Sequence, residues 1–323
     1  MERETGTRDS TVRERCAAGL PRRPGGIGVG TAFGTFGELL QGALPERDGD
    51  FLVTLPVERN TVATFRPGPA GGGLRVDPPH KGKALRLAGM VLAELGEEPS
   101  GFLSIESALP EGKGMASSSA DLVATARAVT GALGAELSCR RLETMLARIE
   151  PTDGVLYPGV VAFHHCSVRL RQRMASPPPM TVVAVDEGGQ IDTVAFNRIP
   201  KPFTTRQHVE YARLLDELSQ ALEEGDAVTV GAIATRSAAL NQALNPKLTL
   251  EPMIRLCSEY GGLGVVNAHS GTTLGILLLD SAPDHAVRLE ALTRACRELT
   301  GSVAVHRVLT FDAAPDHPRW STV

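Results

Sequence analysis

One stretch, PEGKGMASSSADLVATARAV at residues 110–129, constrains the fold of this 323-residue chain more than any other. The alternating segment FLSIESALP before it predicts a strand, and ADLVATARAV after it predicts a helix over roughly 120–133. Gly112 and Gly114 permit positive φ and a close approach of the backbone to a ligand. Because the first amides of a helix have no partner inside it, this strand–loop–helix unit predicts a phosphate site.

The residues alone leave a second interpretation of this loop open. It is not a Walker A loop, because no Lys-Ser or Lys-Thr pair follows the second glycine. Ser117, Ser118 and Ser119 can bind phosphate oxygens or ligate Mg²⁺, and Lys113 can add a positive charge. An ordinary serine N-cap behind a flexible turn would give a similar sequence.

Composition excludes several classes of protein. A net charge of −4 and 4% aromatic residues offer neither a basic stripe nor stacking platforms, so we expect no nucleic-acid partner. No apolar run approaches a membrane span, and the N-terminus has no signal-like apolar region. The five cysteines are scattered and form no CxxC pair, which argues against a disulfide framework or a zinc site. We therefore expect a cytoplasmic protein that does not contact membranes.

Strand and helix signals alternate without a regular βαβ rhythm, which favours an α+β fold over a doubly wound sheet. Further helices are predicted over KALRLAGMVLAELG, LSCRRLETMLARIE, 203–224, 226–242, 250–260 and 284–299. FLVTLPVERNTVATFRP reads as strand, turn, strand, and Pro56 indicates an edge position or a break. We predict a disordered tail at 1–26, an N-terminal domain at 27–178 and a C-terminal domain at 179–323, divided at the proline cluster ASPPP.

Three motifs in order resemble those of the GHMP kinase superfamily. PxxxGMxSSSA is similar to its phosphate-binding motif, FGTFGELLQG at 33–42 to its first motif, and NAHSGTTLGILL at 267–278 to its glycine-rich third motif. The resemblance covers about 27–312. Within the superfamily, GELLQG and EPTDGVLYPGVVAF look most like the L-threonine kinases of the cobalamin pathway. The resemblance implies a two-domain fold with an N-terminal β-α-β nucleotide domain and a C-terminal ferredoxin-like α/β sandwich.

The resemblance also implies ATP, Mg²⁺ and a small acceptor alcohol. The residues it assigns to the nucleotide are Lys113, Gly114, Met115, Ala116, Ser117, Ser118, Ser119, Asn60 and Lys83. It makes Ser118 and Glu143 the metal ligands, with Glu150 as the rival carboxylate; a solvated helix face is the alternative for Glu143. Phosphoryl transfer then depends mainly on positioning and on charge neutralisation.

Asp153 matches the aspartate that acts as a base in mevalonate kinases, although Thr-Asp-Gly is also a turn signal. The residues assigned to the acceptor are Glu38, Gln41, His269, Ser270, Gly271 and Thr272. Glu38 would bind an ammonium or hydroxyl group, or else form a structural hydrogen bond, and His269 is equally compatible with a structural role. The adjacent His164 and His165 would point to opposite faces of a strand and are not expected to share a metal ion.

Two departures from the family pattern limit the assignment. Mevalonate kinases have a lysine where this chain has Ala32, and the third motif keeps only Gly271 of the usual glycines. The prediction is an ATP-dependent kinase of a small amino-acid alcohol, with L-threonine, giving O-phospho-L-threonine, as the first candidate. Alternatives are a kinase of another hydroxylated metabolite, such as homoserine or a secondary-metabolite precursor, or a non-catalytic nucleotide-binding regulator. The resemblance also allows a homodimer.

Overall fold

A computed structural model describes residues 15–18, 26–46, 49–191, 196, 201 and 203–311. Its strands are β1 (Arg15–Ala18), β2 (Gly28–Ala43), β3 (Asp50–Pro67), β4 (Leu74–Asp77), β5 (Gly101–Ser107), β6 (Glu136–Ser138), β7 (Val160–His164), β8 (Arg169–Met174), β9 (Met180–Asp186), β10 (Gly264–Asn267), β11 (Thr273–Leu279) and β12 (Ala304–Arg307). Its helices are α1 (Gly82–Glu94), α2 (Ser117–Leu133), α3 (Cys139–Leu146), α4 (Thr205–Glu224), α5 (Ala227–Asn241), α6 (Leu250–Glu259) and α7 (His285–Thr300). The helices expected from periodicity are therefore present, with ends that shift by a few residues.

Two predictions about the N-terminal part need correction. Most of the expected disordered tail lies outside the described residues, but β1 pairs antiparallel with β6, so the tail is not wholly without structure. Cys139 is disulfide-bonded, whereas Cys166, Cys257 and Cys296 carry thiols. Spacing along a chain does not reveal which cysteines the fold brings within bonding distance, which is why the cysteine pattern misled.

The main sheet is mixed and has ten strands within the part of the chain that the structure describes. Its central order is β12-β9-β11-β10-β2-β3-β5-β4, and β7 pairs with both β3 and β8. Among the described residues the C-terminal part runs β9, the helices α4, α5 and α6, then β10, β11, α7 and β12. Its strands are all antiparallel to their neighbours in the order β12-β9-β11-β10. This is the connectivity of a ferredoxin-like unit, as predicted. The boundary between 178 and 179 stays a prediction; β9 begins at Met180, just beyond it.

The segment predicted as strand, turn, strand is instead one long strand, β3, which pairs along its length with β2 through several register shifts. On its other side β3 pairs with β7 at Leu52 and Val53 and with β5 from Thr61 to Pro67. Pro56 lies between these two pairings. Its missing amide hydrogen therefore removes no ladder bond on that side, and its carbonyl accepts a bond from Leu309.

Helix α2 lies at the centre of the N-terminal half. Almost every side chain from Ser119 to Ala132 is buried, which is the pattern of a helix covered on all sides. It packs closely on β2, since a Cβ added to Gly28 would come within 2.0 Å of the Ala128 carbonyl oxygen, and one on Gly30 within 2.2 Å of that of Ala124. These two glycines of β2 therefore allow α2 to lie directly against the sheet. None of the described helices is long and apolar enough to span a membrane.

Candidate active site

The three motifs, distant in sequence, meet at the amino end of α2. We call residues 112–116 the phosphate loop and residues 268–272 the third-motif loop. Asn267 of β10 pairs with Glu38 of β2, which joins the first and third motifs. The Thr35 amide donates to the Met115 carbonyl at 3.2 Å, and the Thr273 hydroxyl to the Lys113 carbonyl at 3.0 Å. Backbone and side-chain hydrogen bonds therefore hold both neighbouring motifs against the phosphate loop.

The structure shows no serine cap at the amino end of α2. Helix α2 begins at Ser117 behind Ala116, which adopts φ 56° and makes no side-chain cap. The Ser118 hydroxyl donates to Glu150, and the Ser119 hydroxyl donates to Asp153 Oδ2 at 3.2 Å. These serines therefore do not cap the helix. Its first amides remain available for an anion, in the direction that the helix dipole favours.

A cavity of about 310 Å³ opens at this helix end. Predicted site residues that line it are Glu38, Lys83, Gly114, Met115, Ala116, Ser117, Ser118, Ser119, Asp153, His269 and Ser270. Its volume is within the range of small-molecule sites, and it combines apolar walls with converging polar groups. The cavity therefore brings together most of the side chains that the motifs singled out.

The carboxylates of Glu38 in the first motif and of Asp153 in the segment after α3 both face this cavity. Glu38 is 3% exposed, and its Oε2 has no hydrogen-bond partner among the described residues. Burial, followed by the charge of Asp153, raises the pKa of Glu38 well above its usual value. Burial also raises the pKa of Asp153 to about 6; the neighbouring Glu150 adds to the shift, and the bond from Ser119 opposes it. The pair is poised to accept a proton or to bind a cationic group.

The candidate metal ligands are Ser118 and Glu150. The Ser118 hydroxyl donates to one carboxylate oxygen of Glu150, and the Lys83 ammonium ion-pairs with the other. A hydroxyl and a carboxylate side by side are hard oxygen donors of the kind that Mg²⁺ takes when phosphates supply further ligands. Among the described residues no group of three or more His, Cys, Asp or Glu side chains forms a metal cage. These two donors fit a Mg²⁺ ion whose other ligands come from the phosphates better than an ion held by protein ligands alone.

Glu143, the metal ligand expected from spacing, does not line this cavity. Its Oε1 accepts bonds from the Tyr157 hydroxyl at 2.9 Å and from the Leu170 amide at 2.8 Å, and the side chain is buried. Glu143 therefore does not lie on a solvated helix face, and its carboxylate does not face the cavity as a metal ligand would. Glu143 instead ties α3 to the segment that follows it, and the geometry favours its rival Glu150.

Five further predicted residues do not line the cavity. Lys113 pairs with Asp186 at 2.6 Å, and the Thr272 hydroxyl donates to the same carboxylate at 2.5 Å. Gly271 packs on the phosphate loop, because a Cβ there would lie 2.1 Å from the Lys113 carbonyl oxygen. The structure therefore gives Lys113, Gly271 and Thr272 contacts that position the two loops.

Gln41 and Asn60 are the other two. The Gln41 side-chain Nε2 donates to Asn267 Oδ1 at 2.9 Å, and the side-chain Oε1 of Gln41 lies 2.7 Å from His269 Nδ1. Gln41 thus orients His269 from behind the cavity wall. Asn60 lines a separate surface recess with Arg59 and His306, so the structure does not support it as a nucleotide contact in this cavity.

Two histidines form part of the cavity wall. The ring of His269 lies 5.0 Å from that of His165, edge to face. Burial, and then the charge of Lys201, lowers the pKa of His269 to about 3, so its imidazole is neutral at physiological pH. His164 instead turns to the carbonyl of Asp50 at 3.2 Å. His165 lines the cavity and His164 does not, and their expected placement on opposite faces of a strand stays a prediction.

An ionic cluster that the motifs did not reveal surrounds Lys81, which the family resemblance places, like Asn60 and Lys83, near the pocket for the nucleotide base. Lys81 lies 2.6 Å from Asp121 and 2.5 Å from Glu111, and all three line the cavity. Thr61 donates to Asp121 at 3.0 Å, which connects the cluster to β3. The signal in the sequence was Asp121, an acidic residue two positions after the serine run. It is buried in the second turn of α2 and therefore requires a cationic partner.

Comparisons with known proteins fit this geometry. Residues 83–157 match the family model described as the GHMP kinases N terminal domain. Solved structures with the same fold include homoserine kinase from Cytophaga hutchinsonii, with a TM-score of 0.66 at 16% identity over 87% of this chain and 95% of that one. Another is L. major mevalonate kinase in complex with R-mevalonate, with a TM-score of 0.64 at 19% identity over 94% of this chain and 100% of that one.

The chain has the fold of these kinases, and its residues 83–157 resemble the N-terminal domain of the GHMP kinases. It is 28% identical to an L-threonine kinase of Citrobacter freundii over 177 residues, which are 54% of this chain and 62% of that protein. It is also 28% identical to the L-threonine kinase of Salmonella typhimurium over 180 residues, 54% of this chain and 59% of that protein. The match thus spans about three fifths of the length of these curated relatives.

Proposed function

We propose that this GHMP-fold protein transfers the γ-phosphoryl group of ATP to the hydroxyl of a small amino-acid alcohol, with L-threonine as the first candidate. One observation carries the proposal: the uncapped amino end of α2 and the carboxylates of Asp153 and Glu38 face the same cavity. The first feature suits the phosphates, and the second suits an acceptor that carries both a hydroxyl and an ammonium group.

At the phosphate end, the amides of residues 117–119 and the Ser117 hydroxyl would hold the triphosphate. The Lys83 ammonium, now paired with Glu150, lies close enough to exchange a carboxylate for a phosphate oxygen. Ser118 and Glu150 would hold Mg²⁺, which supplies charge neutralisation on the transferring group. The ionic cluster of Lys81, Asp121 and Glu111 lies at the cavity wall where the rest of the nucleotide would extend.

At the acceptor end, Asp153 would take the proton of the attacking hydroxyl or orient that hydroxyl toward the γ-phosphorus. A pKa near 6 keeps its carboxylate mostly ionised at neutral pH yet basic enough to receive a proton. Glu38, buried and with one oxygen lacking a partner among the described residues, would pair with the ammonium group. His269 and Ser270 would complete the wall around the acceptor.

The choice of L-threonine rests on the curated relatives, both of which are L-threonine kinases. Homoserine is the second candidate, because it carries the same charged groups and a homoserine kinase shares the fold. The cobalamin pathway, the cytoplasmic location and a homodimer stay predictions that accompany the first candidate.

The test is an assay of the purified full chain with Mg·ATP and, separately, L-threonine, L-homoserine, L-serine, mevalonate and galactose. We expect ADP release with L-threonine and a phosphomonoester product visible by phosphorus NMR. Transfer to another acceptor would replace the candidate while keeping the reaction class. Binding of Mg·ADP without transfer to any acceptor would support the regulator, and absence of nucleotide binding would refute the proposal.

A further inference from the structure

The segment between α5 and α6 contains two buried polar side chains that no motif includes. Asn245 and Lys247 are 7% and 4% exposed. The Asn245 side-chain amide donates to the carbonyl of His269 at 3.1 Å and to that of Gly271 at 3.2 Å. The Lys247 ammonium donates to the same Gly271 carbonyl. Both side chains therefore bind the backbone of the third-motif loop from behind.

This segment is itself held in place. The Gln242 side chain accepts from the Lys247 amide at 2.7 Å and donates to the Lys247 carbonyl at 3.1 Å. Thr249 donates twice to Glu187, through its amide at 2.6 Å and its hydroxyl at 2.7 Å. The Glu187 amide in turn donates to the Thr272 carbonyl at 3.0 Å. The donors thus reach the third-motif loop from a fixed support.

The position of Gly271 matters because it touches the phosphate loop directly. A Cβ on Gly271 would lie 2.5 Å from the Gly114 amide nitrogen, and one on Gly114 would lie 2.9 Å from the Gly271 Cα. A shift of the Gly271 backbone would therefore either push into the residues that precede α2 or leave them unsupported. Ser270, between the two bonded carbonyls, lines the cavity.

We propose that Asn245 and Lys247 are positioning residues, which hold the third-motif loop against the phosphate loop and so set the geometry of nucleotide binding. The inference rests on the proposed function. A buried ammonium is costly, and an apolar residue would fill the same space more cheaply, so a lysine here indicates that its bond to the loop is needed. The negative charges of Glu187 and Asp186 act on it and partly offset the cost of its burial.

The test compares Lys247→Met and Asn245→Ala with Thr181→Val in the full-length protein. Thr181 is a matched control, because it is 4% exposed and its buried hydroxyl bonds to Asp280 at 2.7 Å at the opposite end of β9. We expect both test variants to raise the Kd for Mg·ADP by about 10–100-fold, the range for a lost hydrogen bond to a charged or buried group. We also expect KM for ATP to rise more than kcat falls. The control should lower the melting temperature alone.

A second measurement uses the wild-type protein and covers the case of variants that fail to fold. Hydrogen exchange is followed with and without Mg·ADP, and we expect protection of residues 242–249 together with 268–272. Equal affinities in test and control variants, or protection confined to 112–119, would overturn the inference while leaving the proposed function intact. A wild-type chain that binds no Mg·ADP would overturn both.

Discussion

Gly114 and Gly271 lie backbone against backbone: the Cα of Gly271 is 2.9 Å from the place where a side chain on Gly114 would begin. Gly114 also adopts φ 81°, a conformation that side chains disfavour. These residues belong to two motifs separated by more than a hundred positions. Their contact explains why the third-motif loop keeps Gly271 although it lacks the other glycines of the family pattern.

The first prediction concerns this contact. Gly271→Ala places a Cβ 2.1 Å from the Lys113 carbonyl oxygen, so the two loops must separate. We expect loss of most phosphotransfer activity and a destabilisation of roughly 1–3 kcal/mol, the usual cost of overpacking. Gly89→Ala in α1 is the matched control, because the nearest atom there is 3.9 Å away. It should stabilise the helix by about 0.5–1 kcal/mol and leave kcat/KM unchanged.

Asp153→Asn tests the proposed base. An amide cannot accept the hydroxyl proton, so kcat should fall by about 10²–10⁴, and a fall of only a few-fold would indicate orientation alone. Because the pKa of Asp153 is raised to about 6, kcat/KM of the wild type should decrease as the pH falls through that value. The variant should lose this limb of the profile, which steady-state assays between pH 5 and 8 would reveal.

The raised pKa of Asp153 also makes the free energy of unfolding depend on pH. A raised folded-state pKa means that the protonated form favours folding, so this contribution is present below the unfolded pKa and is lost as the pH rises through about 6. Asp153→Asn should therefore raise the free energy of unfolding at pH 7.5 by the order of 1 kcal/mol. Denaturant unfolding at pH 5 and 7.5 measures this, and a destabilised variant at pH 7.5 would contradict it.

Ser118→Ala tests the hydroxyl at the helix end. We expect KM for Mg·ATP to rise about 10–100-fold with the fold intact, because the variant loses one ligand or charge-assisted bond. Ser138→Ala is the control, since Ser138 caps α3 by accepting from the Arg141 amide and lies outside the cavity wall. That variant should lower the melting temperature and keep KM. If Ser118→Ala keeps a KM near that of the wild type, Ser118 is not a ligand of Mg·ATP.

Glu150 and Glu143 can be distinguished by their response to Mg²⁺. Glu150→Gln should require at least about tenfold more Mg²⁺ for half-maximal activity, because a neutral amide binds the cation more weakly. Glu143→Ala should keep the wild-type Mg²⁺ dependence but lose roughly 1–3 kcal/mol of stability, since the Tyr157 hydroxyl and Leu170 amide lose their acceptor. A Mg²⁺ titration and thermal unfolding of both variants decide the question, and the reverse pattern would restore Glu143.

Local patterns predicted much of the architecture. The helices after the proline cluster follow from their apolar periodicity, and α4 indeed begins with the Thr204–Gln207 capping box. The loop before α2 could be recognised because its glycines and serines restrict the backbone whatever surrounds them. Pro56 does not break β3 but lies between the pairings of β3 with β7 and with β5, and which of the two expected settings it takes depends on strands distant in sequence.

The sequence by itself determined the helices and the glycine turn, since each depends on residues within about one turn of one another. It also contained the order of the three motifs. Only the tertiary structure decided which carboxylate faces the cavity. Glu143 and Glu150 are seven residues apart. The Glu143 carboxylate accepts hydrogen bonds from Tyr157 and Leu170, whereas the Glu150 carboxylate accepts one from Ser118. The same holds for Asn245 and Lys247, whose partners in the third-motif loop are more than twenty positions away. A side chain's role depends on which hydrogen-bonding groups lie beside it in the folded chain, and no local sequence pattern contains that information.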